Sequence, residues 1–127
     1  MAKKKILIVD DEEAFGQMVK LNLEEAGDYE VRVENKGECA LTTAREFKPD
    51  MIFLDIIMPD VDGAEVAQEI NSDQGLKNTP VVFLTAIVRE EDKASRKGIT
   101  IGSYLYPCLT KPVTVAKLIE CIKQNTI

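Results

Sequence analysis

The sequence has no histidine and only three cysteines, and this scarcity excludes two kinds of stabilising site. Cys39, Cys108 and Cys121 are odd in number and far apart, and no Cys-x-x-Cys pair occurs. A disulfide framework needs paired cysteines, and a zinc site needs clustered cysteine or histidine ligands. We therefore interpret the three cysteines as reduced, mostly buried small residues.

The sequence also lacks a long apolar run and an excess of positive charge. A membrane-spanning helix needs about 20 consecutive apolar residues, whereas the apolar stretch after the N-terminal lysines covers only residues 6–9, which is also too short for an export signal. The net charge is -6, which argues against binding to nucleic acid or to an anionic membrane. We expect a cytoplasmic protein whose partners are proteins or cations.

The length and composition fit one globular domain. The chain has 127 residues, of which 45% are hydrophobic and 30% are charged, so it can bury a normal core without disulfides or metals. We expect a single domain over residues 1–127. No output domain is expected in this chain, because the last predicted helix lies close to its end.

Short apolar runs alternate with segments of helical periodicity, a pattern typical of β-α units around a parallel sheet. Three of the five runs do not alternate with polar residues, as expected of central strands that are covered on both faces, and the second run alternates, as expected of an edge strand. The predicted strands are 6–9, 29–33, 51–54, 81–84 and about 104–109.

Apolar stripes at helical spacing predict helices between these strands. The segment 89–97 differs from the others because it is nearly all charged or small and has little to bury. Asp62 and Thr114 are expected to cap the N-termini of the helices that follow them. The predicted helices are marked by residues in the segments 15–26, 40–47, 66–70, 89–97 and 115–122.

Polar side chains follow four of the five runs: the Asp10–Asp11 pair, Asp55, Thr85 and Lys111. The carboxyl ends of parallel strands lie along one edge of a sheet, so these side chains should converge there. Three carboxylates opposed by one lysine repel one another, and Mg2+, which prefers oxygen ligands and phosphate, would relieve that repulsion. Asp55 would then be a nucleophile toward phosphorus, with Lys111 and Thr85 holding the transferred oxygens.

These motifs resemble the receiver domain of two-component response regulators over the whole chain. The resemblance rests on Asp10–Asp11, on Asp55 followed by I-I-M-P-D-V-D-G, on Thr85–Ala86 and on Lys111–Pro112. It implies a flavodoxin-like, doubly wound α/β fold with five helices and a five-stranded parallel sheet in the order 2-1-3-4-5, the order that the chemotaxis member of this family illustrates.

The resemblance also implies a role for each of these residues. Asp55 would be the phosphorylation site, in a Mg2+-dependent reaction. The implied metal ligands are Asp10 through water, Asp11, Asp55 and the backbone carbonyl of Ile57, and the implied phosphoryl contacts are Thr85, Ala86 and Lys111.

The implied function is signal reception. The domain would accept a phosphoryl group from a sensor histidine kinase or a phosphotransfer protein and pass the signal to a downstream target protein by conformational switching. A phosphorylation-dependent homodimer fits the same scheme. The domain would not be an enzyme beyond promoting its own phosphorylation and dephosphorylation.

One region departs from the family pattern. The family's switch aromatic normally stands three residues before the lysine, and that position here is Cys108. The segment from Thr85 to Lys111 spans 26 positions, a few residues longer than is usual in the family. Tyr104 and Tyr106 are the other switch candidates if these extra residues form a bulge or a longer loop. Alternatively, the tyrosines only pack on the final helix.

The sequence fits three other functions less well. A flavodoxin-type electron carrier needs a phosphate-binding loop after the first strand, where this chain has carboxylates. A haloacid-dehalogenase-type phosphatase needs Asp-x-Asp there, and the sequence is Asp10-Asp11-Glu12. A non-phosphorylated docking module would not need Asp55, Thr85 and Lys111.

Overall fold

Seven strands and four α-helices make up the fold in the computed structural model, which describes residues 3–85, 99–101 and 104–126. The strands are β1 (Lys4–Val9), β2 (Tyr29–Glu34), β3 (Met51–Asp55), β4 (Val81–Thr85), β5 (Ile99–Ile101), β6 (Tyr104–Tyr106) and β7 (Cys108–Thr110). The helices are α1 (Glu13–Ala26), α2 (Ala40–Phe47), α3 (Gly63–Ser72) and α4 (Val115–Asn125), and a 3-10 turn covers Gly37–Cys39.

The main sheet is parallel and has the strand order β2-β1-β3-β4-β7. Counting only its own five strands in chain order, this is the predicted order 2-1-3-4-5, and the predicted doubly wound α/β fold is confirmed. The predicted edge strand, β2, is at one edge and shows alternating buried and exposed residues over its first four positions.

The core has two layers because helices cover both faces of the sheet. One buried cluster joins the sheet to α2 and α3 and includes Leu7, Leu54 and Phe83; the other joins it to α1 and α4 and includes Ile8 and Phe53. Consecutive residues of β1 and β3 therefore belong to opposite layers, and every side chain from Ile6 to Val9 is fully buried. This explains why the central apolar runs do not alternate with polar residues.

Two predicted helix caps are confirmed. The Asp62 carboxylate accepts a hydrogen bond from the Ala64 amide at 2.9 Å, and the Thr114 hydroxyl accepts one from the Lys117 amide at 3.2 Å. The predicted helix over 89–97 lies outside the described residues. None of the described helices is long and apolar enough to cross a membrane.

The prediction of a single strand over 104–109 is wrong. β6 pairs antiparallel with β5 in a separate two-stranded sheet, and only β7 joins β4 in the main sheet. Pro107 separates them: it has no amide proton for a strand ladder, although its carbonyl accepts a hydrogen bond from the Phe83 amide at 2.9 Å. The fifth strand of the main sheet is therefore short and begins after the proline.

Candidate functional site

The candidate site lies at the carboxyl edge of the main sheet. Asp10 and Lys111 directly follow β1 and β7, while Asp55 and Thr85 are the last residues of β3 and β4. The parallel register places Thr85 beside Thr110, one residue before the lysine. The backbone of Thr85 is thus at this edge; its side chain and all of Ala86 lie outside what the structure describes.

Three carboxylates meet at this edge. Asp10, Asp11 and Asp55 each offer an oxygen atom, and the three oxygens lie within 4.8 Å of one another. Asp10 and Asp55 are buried, whereas Asp11 is exposed. A hard divalent cation such as Mg2+ prefers one or two carboxylates together with water, so the donor set fits this ion.

Lys111 supplies the positive charge of the site. Its ammonium nitrogen is 2.7 Å from Asp10 Oδ2, 3.3 Å from Glu12 Oε1 and 3.7 Å from Asp55 Oδ2. It also lies 4.4 Å from the centre of the Phe15 ring, a favourable cation-π distance. Desolvation lowers the pKa of Lys111, but the hydrogen bond and charge of Asp10 outweigh it and raise the pKa overall. The lysine therefore stays charged beside Asp55.

Asp10 is fixed on every side. Its Oδ1 accepts the Glu12 amide at 2.9 Å, and its Oδ2 accepts the Lys111 ammonium at 2.7 Å. Its own amide donates to the Glu34 carbonyl at 3.0 Å, and its carbonyl accepts from the Asn35 side chain at 2.9 Å. Both carboxylate oxygens are thus already engaged within the protein.

Asp55 is only 6% exposed. Burial is the main cause that raises the pKa of Asp55 from 3.8 to about 6. The Ile57 amide, which donates to Asp55 Oδ1 at 3.1 Å, and the Lys111 charge act in the opposite direction, whereas the charges of Asp10 and Asp11 add to the rise. The surroundings of Asp55 therefore disfavour its ionised form, and a bound cation would stabilise that form.

The loop after Asp55 returns tightly to the start of α3. The Gly63 amide donates to the Ile56 carbonyl at 3.1 Å, and Ile57 forms an isolated bridge with Asp62. A Cβ atom at Gly63 would lie 2.6 Å from the Asp55 carbonyl oxygen and 2.7 Å from Ile56 Cα. The glycine therefore allows the close backbone contact that closes this loop.

The structure describes the side chains of two of the three switch candidates, Tyr106 and Cys108. Tyr106 is 2% exposed, its hydroxyl donates to the Ala67 carbonyl at 3.4 Å, and its ring meets Phe83 edge-on at 5.4 Å. It lies in the cluster on the α2–α3 face, opposite α4, so the alternative that it packs on the final helix is wrong for this residue. Cys108 packs partly buried against the same cluster, and the side chain of Tyr104 is outside the described part.

Within the part of the chain that the structure describes, the side chains of Glu12, Phe15 and Asn35 also contact the site, and none of them is a predicted site residue. Phe15 belongs to the segment 15–26 that predicts a helix, and no sequence pattern marks it as a neighbour of the lysine. Asn35 had a usable signal: it directly follows β2, at the same carboxyl edge as the predicted residues. The four predicted site positions lie at the ends of the other four strands of the main sheet, and Asn35 follows the remaining strand.

The sequence of this chain is similar to those of known response regulators. The family model described as response regulator receiver domain matches residues 6–123. The Synechocystis DNA-binding dual master transcriptional regulator RpaA is 36% identical over 119 residues, covering 94% of this chain and 47% of the regulator. The Brucella anthropi polar-differentiation response regulator DivK is 36% identical over 121 residues, covering 94% of both chains.

The Bacillus subtilis alkaline phosphatase synthesis transcriptional regulatory protein PhoP is 40% identical over 109 residues, which cover 86% of this chain and 42% of PhoP. The chain therefore spans less than half the length of RpaA and of PhoP. Among solved structures, the chemotaxis protein CheY4 of Vibrio cholerae superposes with a TM-score of 0.82 at 31% identity, covering 98% of this chain and 99% of CheY4.

Proposed function

This chain belongs to the response regulator receiver domain family, and from that premise we propose that it accepts a phosphoryl group on Asp55 in a Mg2+-dependent reaction. One observation carries the proposal: the three carboxylate oxygens lie within 4.8 Å of one another and the Lys111 ammonium lies 3.7 Å from Asp55. Receiver domains are in general signalling modules without a substrate of their own. The flavodoxin, phosphatase and docking alternatives are not favoured by the family match.

Asp11 and Asp55 are the proposed direct ligands of the cation, with the Ile57 carbonyl as a third. Both carboxylate oxygens of Asp10 are engaged by Lys111 and the Glu12 amide, which supports a role for Asp10 through metal-bound water. When bound, Mg2+ would offset the negative charge at this edge and coordinate phosphoryl oxygens.

In the proposed transfer, a carboxylate oxygen of Asp55 forms a bond to phosphorus while the bond from phosphorus to the donor atom breaks. Lys111 would exchange its contact with the exposed Glu12 for a phosphoryl oxygen, because its ammonium nitrogen already lies within 3.7 Å of Asp55 Oδ2. The other proposed phosphoryl contacts are the hydroxyl of Thr85, the last residue of β4, and the backbone of Ala86, the next residue in the sequence.

The proposed partners follow from this chemistry. A sensor histidine kinase or a phosphotransfer protein would donate the phosphoryl group, and a downstream protein would read the resulting conformation. Tyr106 is the strongest of the proposed switch residues, ahead of Tyr104 and Cys108, because its ring and hydroxyl join the segment before β7 to β4 and α3. A cytoplasmic location, a phosphorylation-dependent homodimer and the absence of direct nucleic-acid binding remain part of the proposal.

The test is the intact mass of the protein after incubation with acetyl phosphate and Mg2+. We expect a mass gain of one phosphoryl group in the wild type and in the matched control Asp50→Ala, whose aspartate is exposed and lies outside the site. We expect no gain in Asp55→Ala or when a chelator replaces Mg2+. A phosphoryl gain that persists in Asp55→Ala would assign the chemistry to another residue.

A further inference from the structure

The side chain of Asn35 is bonded to the backbone of the acidic site. Its Nδ2 donates to the Asp10 carbonyl at 2.9 Å across 25 positions of sequence. The residue before it, Glu34, accepts the Asp10 amide at 3.0 Å. The end of β2 therefore holds Asp10 from both its amide and its carbonyl side.

The bond from Asn35 acts on Asp11 through the peptide plane. The carbonyl of Asp10 and the amide of Asp11 belong to one planar peptide unit, so fixing the carbonyl fixes the direction in which the chain enters Asp11. Asp11 is exposed, and within the described ranges its side chain makes no hydrogen bond or ion pair. Its carboxylate is thus placed by its backbone rather than by contacts of its own.

We propose that Asn35 is a positioning residue for the cation site: its carboxamide sets the Asp10–Asp11 peptide so that the Asp11 carboxylate faces Asp55. The inference rests on the proposed function, in which Asp11 and Asp55 hold a divalent cation. Asn35 itself would touch neither the cation nor the phosphoryl group.

The segment 35–39, which joins β2 to α2 and contains Asn35, also contacts the loop after Asp55. The Glu38 amide donates to Asp60 Oδ2 at 3.1 Å. A Cβ atom at Gly37 would meet the side chains of Val61 and Met58 at less than contact distance. One short segment thus touches both loops that carry the carboxylates, which explains how a bond at Asn35 can fix one loop relative to the other.

The expected effect of removing the carboxamide is weaker binding of Mg2+. Residues that orient metal ligands without touching the metal typically change the affinity about 10- to 100-fold when they are replaced. We expect Asn35→Ala to weaken Mg2+ binding about tenfold, at the low end of that range, because the bond acts through a peptide unit. The rate of phosphorylation by acetyl phosphate at saturating Mg2+ should stay close to that of the wild type, since Asp55 is unchanged.

Asn125→Ala is the matched control. Asn125 also donates from Nδ2 to a partly shielded backbone carbonyl, that of Cys121, at 2.8 Å, but it lies at the end of α4. Mg2+ affinity would be measured by isothermal titration calorimetry on the wild type, Asn35→Ala, Asn125→Ala and Asp11→Ala, with the unfolding midpoint of each in chelator. If Asn35→Ala does not fold, Asn35→Ser takes its place.

The proposal is supported if both asparagine variants lose similar stability but only the change at Asn35 weakens Mg2+ binding and raises the Mg2+ concentration for half-maximal phosphorylation. It is overturned if Mg2+ binds to the Asn35 variant as to the wild type, or if the Asn125 variant is weakened equally. These results are distinct from failure of the proposed function, in which the wild type does not bind Mg2+ or Asp11→Ala binds it equally well.

Discussion

The body of the main sheet and Asp55 at its carboxyl edge are both buried, but they are chemically opposite. Phe53 in the middle of β3 is 0% exposed, and Asp55, two residues later, is 6% exposed. In the body, removing apolar side chains from water stabilises the fold. At the edge, the same exclusion of water opposes the charge of Asp55. Burial alone therefore does not show whether a residue stabilises the protein, and the body must offset the cost of the edge.

The largest expected effect comes from the body of the sheet. Phe53→Ala should lower the free energy of unfolding by about 3–5 kcal/mol, because it removes a fully buried ring and leaves a cavity. Urea unfolding measures the change. Leu21→Ala is the control, since Leu21 is 61% exposed and should cost less than about 0.5 kcal/mol. Equal losses in the two variants would contradict the account of the core.

At the edge, Mg2+ should stabilise the folded protein. A ligand that binds only the folded state adds about 2.7 kcal/mol at a concentration one hundred times its dissociation constant, so the melting temperature should rise with added Mg2+. The rise should be absent in Asp11→Ala and present in Glu25→Ala, which removes an exposed carboxylate on α1. A rise of the same size in Asp11→Ala would place the bound cation elsewhere.

In the absence of metal, the charge of Asp55 should make the stability of the folded protein depend on pH. Its folded pKa, about 6, is above the ordinary value of 3.8. The folded state therefore binds the proton more tightly, and this contribution to stability is complete below pH 3.8 and is lost as the pH rises through 6. Between about pH 4 and 7.5 the free energy of unfolding of the wild type should fall by about 2 kcal/mol relative to that of Asp55→Asn.

The measurement is the free energy of unfolding of both proteins in chelator at the two pH values. Asp55→Asn keeps the shape of the side chain and removes the titrating group, so the difference between the two proteins isolates Asp55. A difference that does not change with pH would show that Asp55 is ionised as easily in the folded chain as in the unfolded one.

The smallest expected effect concerns a polar atom of β6 that packs against the body of the main sheet. Tyr106→Phe removes the hydroxyl that donates to the Ala67 carbonyl at 3.4 Å, near the limit for a hydrogen bond. We expect a loss of about 0.5 kcal/mol in the free energy of unfolding, since the ring and its edge-on contact with Phe83 remain. A loss above about 2 kcal/mol would mean that the hydroxyl is a main anchor of this segment.

The sequence sufficed for the body of the sheet because burial on both faces produces apolar runs without alternation, as in β1, β3 and β4. It also placed Asp10, Asp55 and Lys111 at one edge, since parallel strands end on the same side. The first argument uses the hydrophobic pattern and the second uses strand direction, and neither needs knowledge of long-range contacts.

The region before Lys111 could not be predicted in the same way. Alternating and apolar residues favour a strand from 104 onward, but they do not say with which strand it pairs. The antiparallel pairing of β6 with β5, and the break at Pro107, depend on contacts between segments that periodicity does not encode. The bond from Asn35 to Asp10 could not be predicted for the same reason, because it joins two strand ends that are distant in sequence.

The close contact at Gly63 determines which sequences this fold can accept. Any other amino acid there would place its Cβ atom against the backbone of Asp55 and Ile56, and backbone atoms cannot rotate aside as a flexible side chain can. At Gly75, by contrast, a Cβ atom would meet only Asp73 Oδ2 at an ordinary 3.5 Å. In a saturation library selected for folded protein, position 63 should therefore retain glycine alone, while position 75 accepts many residues.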